Sequence, residues 1–317
     1  MTDFNHLWER FPRTQAEFDR RFRTEEDCRS YLIEVRWGGK PRCMKCDGTR
    51  VCELSSGRFQ CYACGHQTSV TAGTILDRTR KPLRLWFRAL FEMLTRKTGV
   101  SGKDLQRLLG FGSYETAWTW LHKLRALLVN PDHRPLRGSV QLDEVYLGGK
   151  APGHQRGRSP EGKAVILVGA EVGGRIRMRK IPDASAASLG PAVQAMAEPS
   201  AKIATDRHRG YTAEVLAGRN HAAAASPSSP KDHDPVQWCH WAASNLKRWW
   251  LGTHHGAISE KHAQAYLDEF TFRYNRRKTD GVGRLVARAL EIFGRIGTRT
   301  MRAIVDGVTT ARRTATA

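Results

Sequence analysis

The sequence contains no apolar run of the roughly 18 residues that a membrane-spanning helix requires. It also lacks an amphipathic stretch with its basic residues confined to one side, which argues against a helix that binds a membrane surface. A Walker loop and a dinucleotide glycine fingerprint are absent too, because the Gly-Gly pairs lack the spacing that follows them in those motifs. The N-terminal residues lack the pattern of an export signal, so we expect the reducing cytoplasm.

Acidic residues are scarce relative to basic ones. The 317 residues include 52 Lys and Arg but 31 Asp and Glu, which gives a net charge of +21. The basic residues occur throughout the chain, as expected of a protein that follows a phosphate backbone and releases its counterions. This balance predicts a nucleic-acid partner, and the length predicts two or three domains.

Four of the seven cysteines form two C-x₂-C pairs, Cys43 with Cys46 and Cys61 with Cys64. This spacing is typical of a tetrahedral zinc site, and four thiolates leave no open position for a substrate. A disulfide framework is the alternative, but the odd total of cysteines disfavours it. The pattern therefore predicts a structural zinc ion.

The residues around the cysteines indicate how the N-terminal part is organised. Residues 1–36 have a helical pattern and are expected to pack on a small antiparallel zinc ribbon at 37–78. Two aromatic residues of the ribbon, Phe59 and Tyr62, either stack on bases or fill its small core. We favour the core for both.

Residues 79–131 carry helical periodicity and predict a helix-turn-helix segment, with Ser101 and Ser113 as helix N-caps. The alternative is an ordinary three-helix bundle. In a helix-turn-helix the second helix faces the major groove of DNA. Its expected exposed readers are Glu115, Thr116, Thr119, His122 and Lys123.

From residue 132 the pattern changes to strands. Three antiparallel strands, a helix and a parallel fourth strand predict an α/β domain with a mixed central sheet, spanning 132–278. Residues 218–235 are rich in Ala, Ser and Pro and predict a flexible loop within it. Two helices are expected near 236–251 and 260–276, followed by a basic tail at 279–317.

Two aspartates of this domain are candidates for a metal site. Asp143 lies in the first strand and Asp206 follows the fourth. If these strands are neighbours, both carboxylates reach one edge of the sheet, where oxygen ligands suit Mg²⁺ or Mn²⁺. Aspartates at strand ends are more often turn or cap residues, so the pattern alone leaves both interpretations open.

The order of motifs resembles the insertion-sequence transposases of bacteria, in the zinc-ribbon branch of the DDE superfamily. The resemblance covers most of residues 25 to 278 and rests on the ribbon, the helical segment, "QLDEVYLGG", "ATDRHRGY", "HWAASNLKRWWLGTHHG" and "YLDEFTFRYNRR". It implies a ribonuclease H-like catalytic fold, Mg²⁺ dependence, and the cutting and joining of transposon ends. It also implies that Asp143 and Asp206 are the first two metal-binding acids.

At the third metal position the resemblance points to Asn245, where the family usually has Glu. An asparagine offers a neutral carbonyl oxygen, so it can bind a metal but cannot act as a base. The candidate replacements are three acids, Glu144, Glu260 and Glu269.

Three cations near Asn245 are candidate DNA contacts. Lys247 and Arg248 either hold phosphates or form a solvated basic helix face. His255 matches a family motif and is expected beside the metals. Together with Thr116, Thr119 and Lys123, these residues form the predicted DNA-binding set.

The resulting hypothesis is a multidomain transposase in the nucleoid, acting on double-stranded DNA as a homodimer or larger assembly. The alternatives are a DNA-binding regulator without catalysis and a ribonuclease H-like nuclease without strand transfer.

Overall fold

The computed structural model describes residues 11–129, 134–148, 163–224, 234–256 and 258–307. The chain divides into two compact units. The first combines Met1–Pro131 with Lys278–Ala317, and the second is Asp132–Arg277. The chain thus leaves the first unit, builds the second, and returns to the first.

The first unit begins with helices α1 (Gln15–Arg21) and α2 (Glu25–Trp37). Thr14 and Thr24 cap them, and each threonine hydroxyl accepts a hydrogen bond from a backbone N–H in the first turn. Aromatic side chains of α1 and α2 pack on a third helix, as in the contact of Phe18 with Phe91 at 4.3 Å between ring centroids.

Three short strands follow, namely β1 (Val51–Glu53), β2 (Phe59–Cys61) and β3 (Gln67–Thr68). They pair antiparallel in the order β1-β2-β3, as predicted. Phe59 is buried and meets Trp37 of α2 edge-on, with 5.7 Å between the ring centroids. The predicted packing of the N-terminal helices on the ribbon is therefore present.

Three helices complete this part of the chain: α3 (Leu83–Thr95), α4 (Gly102–Leu109) and α5 (Tyr114–Arg125). Ser101 and Ser113 cap α4 and α5 as predicted. Gly110, with a φ of 65°, ends α4 in the left-handed conformation and starts the turn to α5.

Helix α5 exposes only some of the predicted readers. Thr119 and His122 are buried, at 8% and 4% exposure. Lys123 is half-buried, with its ammonium 5.8 Å from the ring centroid of Trp86, and burial lowers its pKa. The prediction overlooked that α5 packs on α3 and α4 on one side and on a C-terminal helix on another. Glu115 and Thr116, in the first turn, remain accessible.

The segment predicted as a basic tail contributes to the core of the first unit. Helices α10 (Arg284–Leu290) and α11 (Met301–Val305) pack on α3 and α5, respectively. Val286 and Phe293 are fully buried. Residues 308–317 lie outside the described residues.

The second unit is built on a five-stranded mixed sheet. Its strands are β4 (Ser139–Leu147), β5 (Ala164–Glu171), β6 (Ile176–Ile181), β7 (Lys202–Thr205) and β8 (His221–Ala223). The spatial order is β6-β5-β4-β7-β8, with β4, β7 and β8 parallel and β5 antiparallel to its neighbours. The predicted mixed sheet and the antiparallel order of its first three strands are present.

The prediction of a loop at 218–235 is wrong for residues 221–223, which form strand β8. His221–Ala223 pair with Ile203–Thr205 at the edge of the sheet. The composition argument missed this strand because backbone hydrogen bonds, rather than apolar side chains, hold it there: the Ile203 N–H donates to the Asn220 carbonyl. Residues 225–233 of the predicted loop lie outside the described residues.

Helices cover both faces of the sheet. Helix α6 (Ala186–Met196) packs on one face, and the long helix α8 (Gln237–His254) packs with α9 (Ala263–Asn275) on the other. A short helix, α7 (Ala213–Leu216), lies beside α6. Asn275, at the end of α9, donates to and accepts from the backbone of Ile176 at 2.9 and 2.8 Å, which ties α9 to the edge strand β6.

Among the described helices, none has the length and apolar character needed to cross a membrane.

Candidate zinc and catalytic metal sites

The four ribbon thiols converge on one point. Their sulfur atoms lie within 4.8 Å of one another, with 3.5 Å between Cys43 and Cys64 and 3.6 Å between Cys46 and Cys61. A disulfide needs about 2.05 Å, whereas four sulfurs at about 2.3 Å from a tetrahedral ion lie about 3.8 Å apart. The geometry fits zinc rather than disulfides.

Two equivalent backbone turns hold these thiols. In the first, the Cys43 N–H donates to Gly48 and the Asp47 N–H to Cys43; in the second, the Cys61 N–H donates to His66 and the Gly65 N–H to Cys61. The hydrogen bond from the Cys46 N–H, foremost, lowers the pKa of Cys43, whereas the pKa of Cys46 is raised, as expected of thiols that share protons until a metal displaces them. Both halves of the site are thus formed locally.

The acidic site begins with the parallel pairing of β4 and β7. Leu142 lies opposite Thr205, so the next position along the register brings Asp143 beside Asp206 on the same side of the sheet. Oxygens of Asp143, Glu144 and Asp206 lie within 4.8 Å of one another. The structure therefore brings the two predicted aspartates together, and an all-carboxylate group of this size fits a divalent cation.

The turn after β7 holds two of these acids. The His208 N–H donates to Asp206 at 3.0 Å, and the Tyr211 hydroxyl donates to Glu144. Burial, foremost, and the nearby Glu144 charge raise the pKa of Tyr211 well above its usual value, so it stays a hydroxyl donor.

His240, which sequence analysis did not select, lies beside the acidic group. Its Nε2 lies 3.4 Å from an oxygen of Asp143, and its Nδ1 lies 2.6 Å from an oxygen of Asp234. The hydrogen bond to Asp143, foremost, raises the pKa of His240 to about 9, although partial burial opposes this. The Trp238 N–H fixes the start of α8 over β4 by donating to the Gln141 side chain at 2.7 Å.

The predicted third ligand, Asn245, lies further along α8 than His240. It follows His240 by five residues, so it lies roughly 140° around the helix from the histidine that meets Asp143. Its side chain is exposed, and its amide donates to the Trp241 carbonyl at 3.0 Å. Asn245 and His240 thus lie on different sides of α8.

The other candidate replacements have different surroundings. Glu144 belongs to the acidic group, whereas Glu260 pairs with Lys180 at 2.6 Å and Glu269 is fully buried within α9 beside Arg273. The acid group of the described residues includes neither Glu260 nor Glu269.

The predicted DNA contacts on α8 differ in position. Lys247 follows His240 by two helical turns and so lies on the same side of α8, about 10 Å further along. Arg248 is exposed. His255 ends the helix in the left-handed conformation, about 22 Å of helix axis beyond His240, so it does not lie beside the aspartates as expected.

Comparison with known families accords with both sites. A model of the transposase zinc-ribbon domain matches residues 23–67, and a model of the ISXO2-like transposase domain matches residues 135–275. Together these matches span more than half of the chain. The chain is thus a transposase of the DDE superfamily that carries a zinc ribbon.

More particularly, it belongs to the insertion-sequence transposases with an ISXO2-like domain. It is similar to an uncharacterized protein in transposable element ISH50 of Halobacterium salinarum, with 24% identity over 275 residues. That alignment covers 80% of this chain and 91% of the relative.

Proposed function

We propose that this protein binds the terminal inverted repeats of its insertion sequence and catalyses metal-dependent cleavage and transfer of DNA strands. The observation that carries the proposal is the approach of Asp143 and Asp206 on two parallel neighbouring strands, with His240 of the helix over them 3.4 Å from Asp143. The strand order, with this helix on one face, supports a ribonuclease H-like catalytic domain.

Asp143, Asp206 and His240 are the proposed ligands of the catalytic metal, and His240 would release its Nε2 proton when the metal binds. Divalent ions at such a site activate a water or a 3′-hydroxyl and stabilise the leaving oxygen of a phosphodiester. Asp234 is the proposed positioning residue, because it accepts from Nδ1 of His240 and leaves Nε2 directed at Asp143. Metal-binding histidines commonly hold their ring orientation through such a carboxylate.

The histidine bears on which metal the site prefers. Carboxylate-only sites suit Mg²⁺, whereas an imidazole nitrogen suits transition metals. Mn²⁺ accepts both kinds of ligand. We therefore propose that Mn²⁺ supports the reaction better than Mg²⁺, and that His240→Glu shifts the preference toward Mg²⁺.

DNA binding is proposed for both units. Lys247 lies on the same side of α8 as His240 and is placed to hold a phosphate next to the reacting one. In the first unit, the helix-turn-helix function of α4 and α5 is limited to the accessible first turn of α5, which contains Thr116. Two ends are joined in one event, so the active assembly on DNA is proposed to be a dimer or larger.

The test is a cleavage and strand-transfer assay on labelled DNA from the element's own ends, with Mn²⁺ or Mg²⁺. The proposal expects joined products from the wild type and none from Asp143→Ala or Asp206→Ala. Cleaved but never joined products would indicate a nuclease instead. Tight end binding without a nick under any metal would contradict catalysis and indicate a regulator.

A further inference from the structure

The small sheet of the zinc ribbon has two different faces. Alternate residues of a strand point to opposite sides. On one side Phe59, Cys61 and Thr68 are buried. On the other side none of the strand residues is buried, and Tyr62 just beyond β2 is 66% exposed. The sheet thus has a core face and an open face.

The open face, here called the ribbon face, consists of Arg50, Cys52, Arg58, Gln60, Tyr62 and Gln67. Arg50 lies next to Tyr62 across the strands, with its guanidinium carbon 5.9 Å from the ring centroid. The Gln67 amide donates to the Gln60 amide oxygen at 3.3 Å. Two arginines, two amides and one aromatic ring therefore lie side by side.

The fold does not require Tyr62 to be aromatic. Phe59 fills the ribbon core, at 4% exposure, and is covered by Trp37 and by Arg29, whose guanidinium carbon lies 5.1 Å from the Phe59 centroid. Sequence analysis placed both aromatic residues in the core, and this is wrong for Tyr62. A large exposed ring beside a cation suits contact with a partner.

Charge favours an anionic partner for the ribbon face. The one acid in the three strands is Glu53, which by strand alternation lies on the core side and pairs with Arg29 at 2.8 Å. The ribbon face thus has cations and hydrogen-bonding amides but no carboxylate.

We propose that the ribbon face binds the duplex DNA of the element's ends and contributes to recognising their sequence. This inference rests on the proposed function. The major groove of B-DNA admits a β-ribbon, in which glutamine amides pair with adenine and arginines contact guanine or phosphates. Gln60 and Gln67 are assigned to base edges, Arg50 and Arg58 to the backbone, and Tyr62 to packing against the groove wall.

The test measures binding of the full-length protein to a fluorescent duplex from the element's end and to a shuffled duplex of the same composition, without Mg²⁺ or Mn²⁺. Gln60→Ala and Gln67→Ala are each expected to reduce the preference for the end duplex roughly tenfold, whereas Tyr62→Ala is expected to weaken binding to both duplexes. Arg50→Ala and Arg58→Ala are expected to weaken binding to both duplexes and to reduce the slope of log K against log salt by about 0.9 per contact.

Matched controls separate the ribbon face from general effects. Arg42→Ala makes the same charge change in the same ribbon but outside the sheet, and Gln15→Ala removes an exposed glutamine of α1. Both are expected to bind as the wild type does. Every variant must retain the zinc content of the wild type.

Two results would overturn the inference: a wild type that does not distinguish the two duplexes, or Gln60→Ala and Gln67→Ala variants that keep the full preference with zinc bound. The experiments distinguish failure of this inference from failure of the catalytic proposal. If the wild type binds through the ribbon face but never cuts, the inference stands and the catalytic proposal does not. If the wild type cuts and joins ends but the variants bind normally, the reverse holds.

Discussion

The zinc site and the acidic site both bring together side chains that can bind a metal, yet they are built in opposite ways. The zinc ligands lie within one short ribbon, and each C-x₂-C pair makes its own backbone turn. The acidic site takes Asp143 and Asp206 from two strands and His240 from a helix much later in the chain. The zinc site is a local site, because the spacing of its cysteines in the sequence specifies it. The acidic site is a distributed site, because it depends on the pairing register of two strands and on which side of a helix faces them.

The largest effect is expected at the distributed site. Asp143→Asn keeps the shape of the side chain but removes its charge, so strand transfer should fall by a factor on the order of 10³ or more, because the metal supplies several kcal/mol of stabilisation. The measurement is the rate of joined-product formation at saturating Mn²⁺. Unchanged zinc content and end binding would show that the two sites are independent, and a drop below tenfold would contradict the assignment.

The corresponding change at the local site is Cys61→Ser. The buried thiolate is one of four ligands, so the variant should lose its zinc, unfold the ribbon and lose its preference for end DNA. Metal analysis and duplex binding check this. Cys52→Ser is the matched control, because Cys52 lies in the same ribbon but outside the thiol group, and it should keep the zinc. A Cys61→Ser protein with full zinc content would contradict the four-thiolate site.

Helix phase is tested by comparing two residues of α8. His240→Ala should reduce strand transfer about 10²-fold and weaken Mn²⁺ binding measured directly by electron paramagnetic resonance, because it removes a ligand beside Asp143. Asn245→Ala should change both by less than about threefold, because Asn245 lies on another side of the helix. A larger loss of strand transfer and Mn²⁺ binding in Asn245→Ala than in His240→Ala would support Asn245 as the third ligand and contradict the assignment of His240.

This contrast explains which features could be predicted from sequence. The ribbon, the caps at Ser101 and Ser113, and strands β4 to β7 follow from local patterns. The proximity of Asp143 and Asp206 could also be predicted, because a helix that connects two strands of one sheet favours parallel pairing of those strands.

The errors share a physical cause, which is packing between distant segments. His240 lies one turn into α8, and the hydrogen bond from the Trp238 backbone to Gln141, together with the buried side chains of α8, fixes which side of the helix meets β4. Thr119 is buried because α3, α4 and the C-terminal helix α11 surround α5. Neither contact leaves a signal in local spacing. The helix phase set by the buried residues of α8 is the one clue that pointed to His240.

The smallest expected effect concerns the two hydrogen bonds between Asn275 and Ile176, which hold α9 to the sheet that carries the acidic site. Asn275→Ala removes two hydrogen bonds to Ile176 and leaves the backbone of an edge strand with unsatisfied groups, which should cost about 1–3 kcal/mol of unfolding free energy. Chemical denaturation followed by tryptophan fluorescence measures it. Asn245→Ala, an exposed Asn-to-Ala change in the same unit, should cost less than about 0.5 kcal/mol. Zinc content should stay unchanged in both, because the ribbon belongs to the other unit. Equal stability of the two variants would show that the Asn275 tie does not support the sheet on which the acidic site depends.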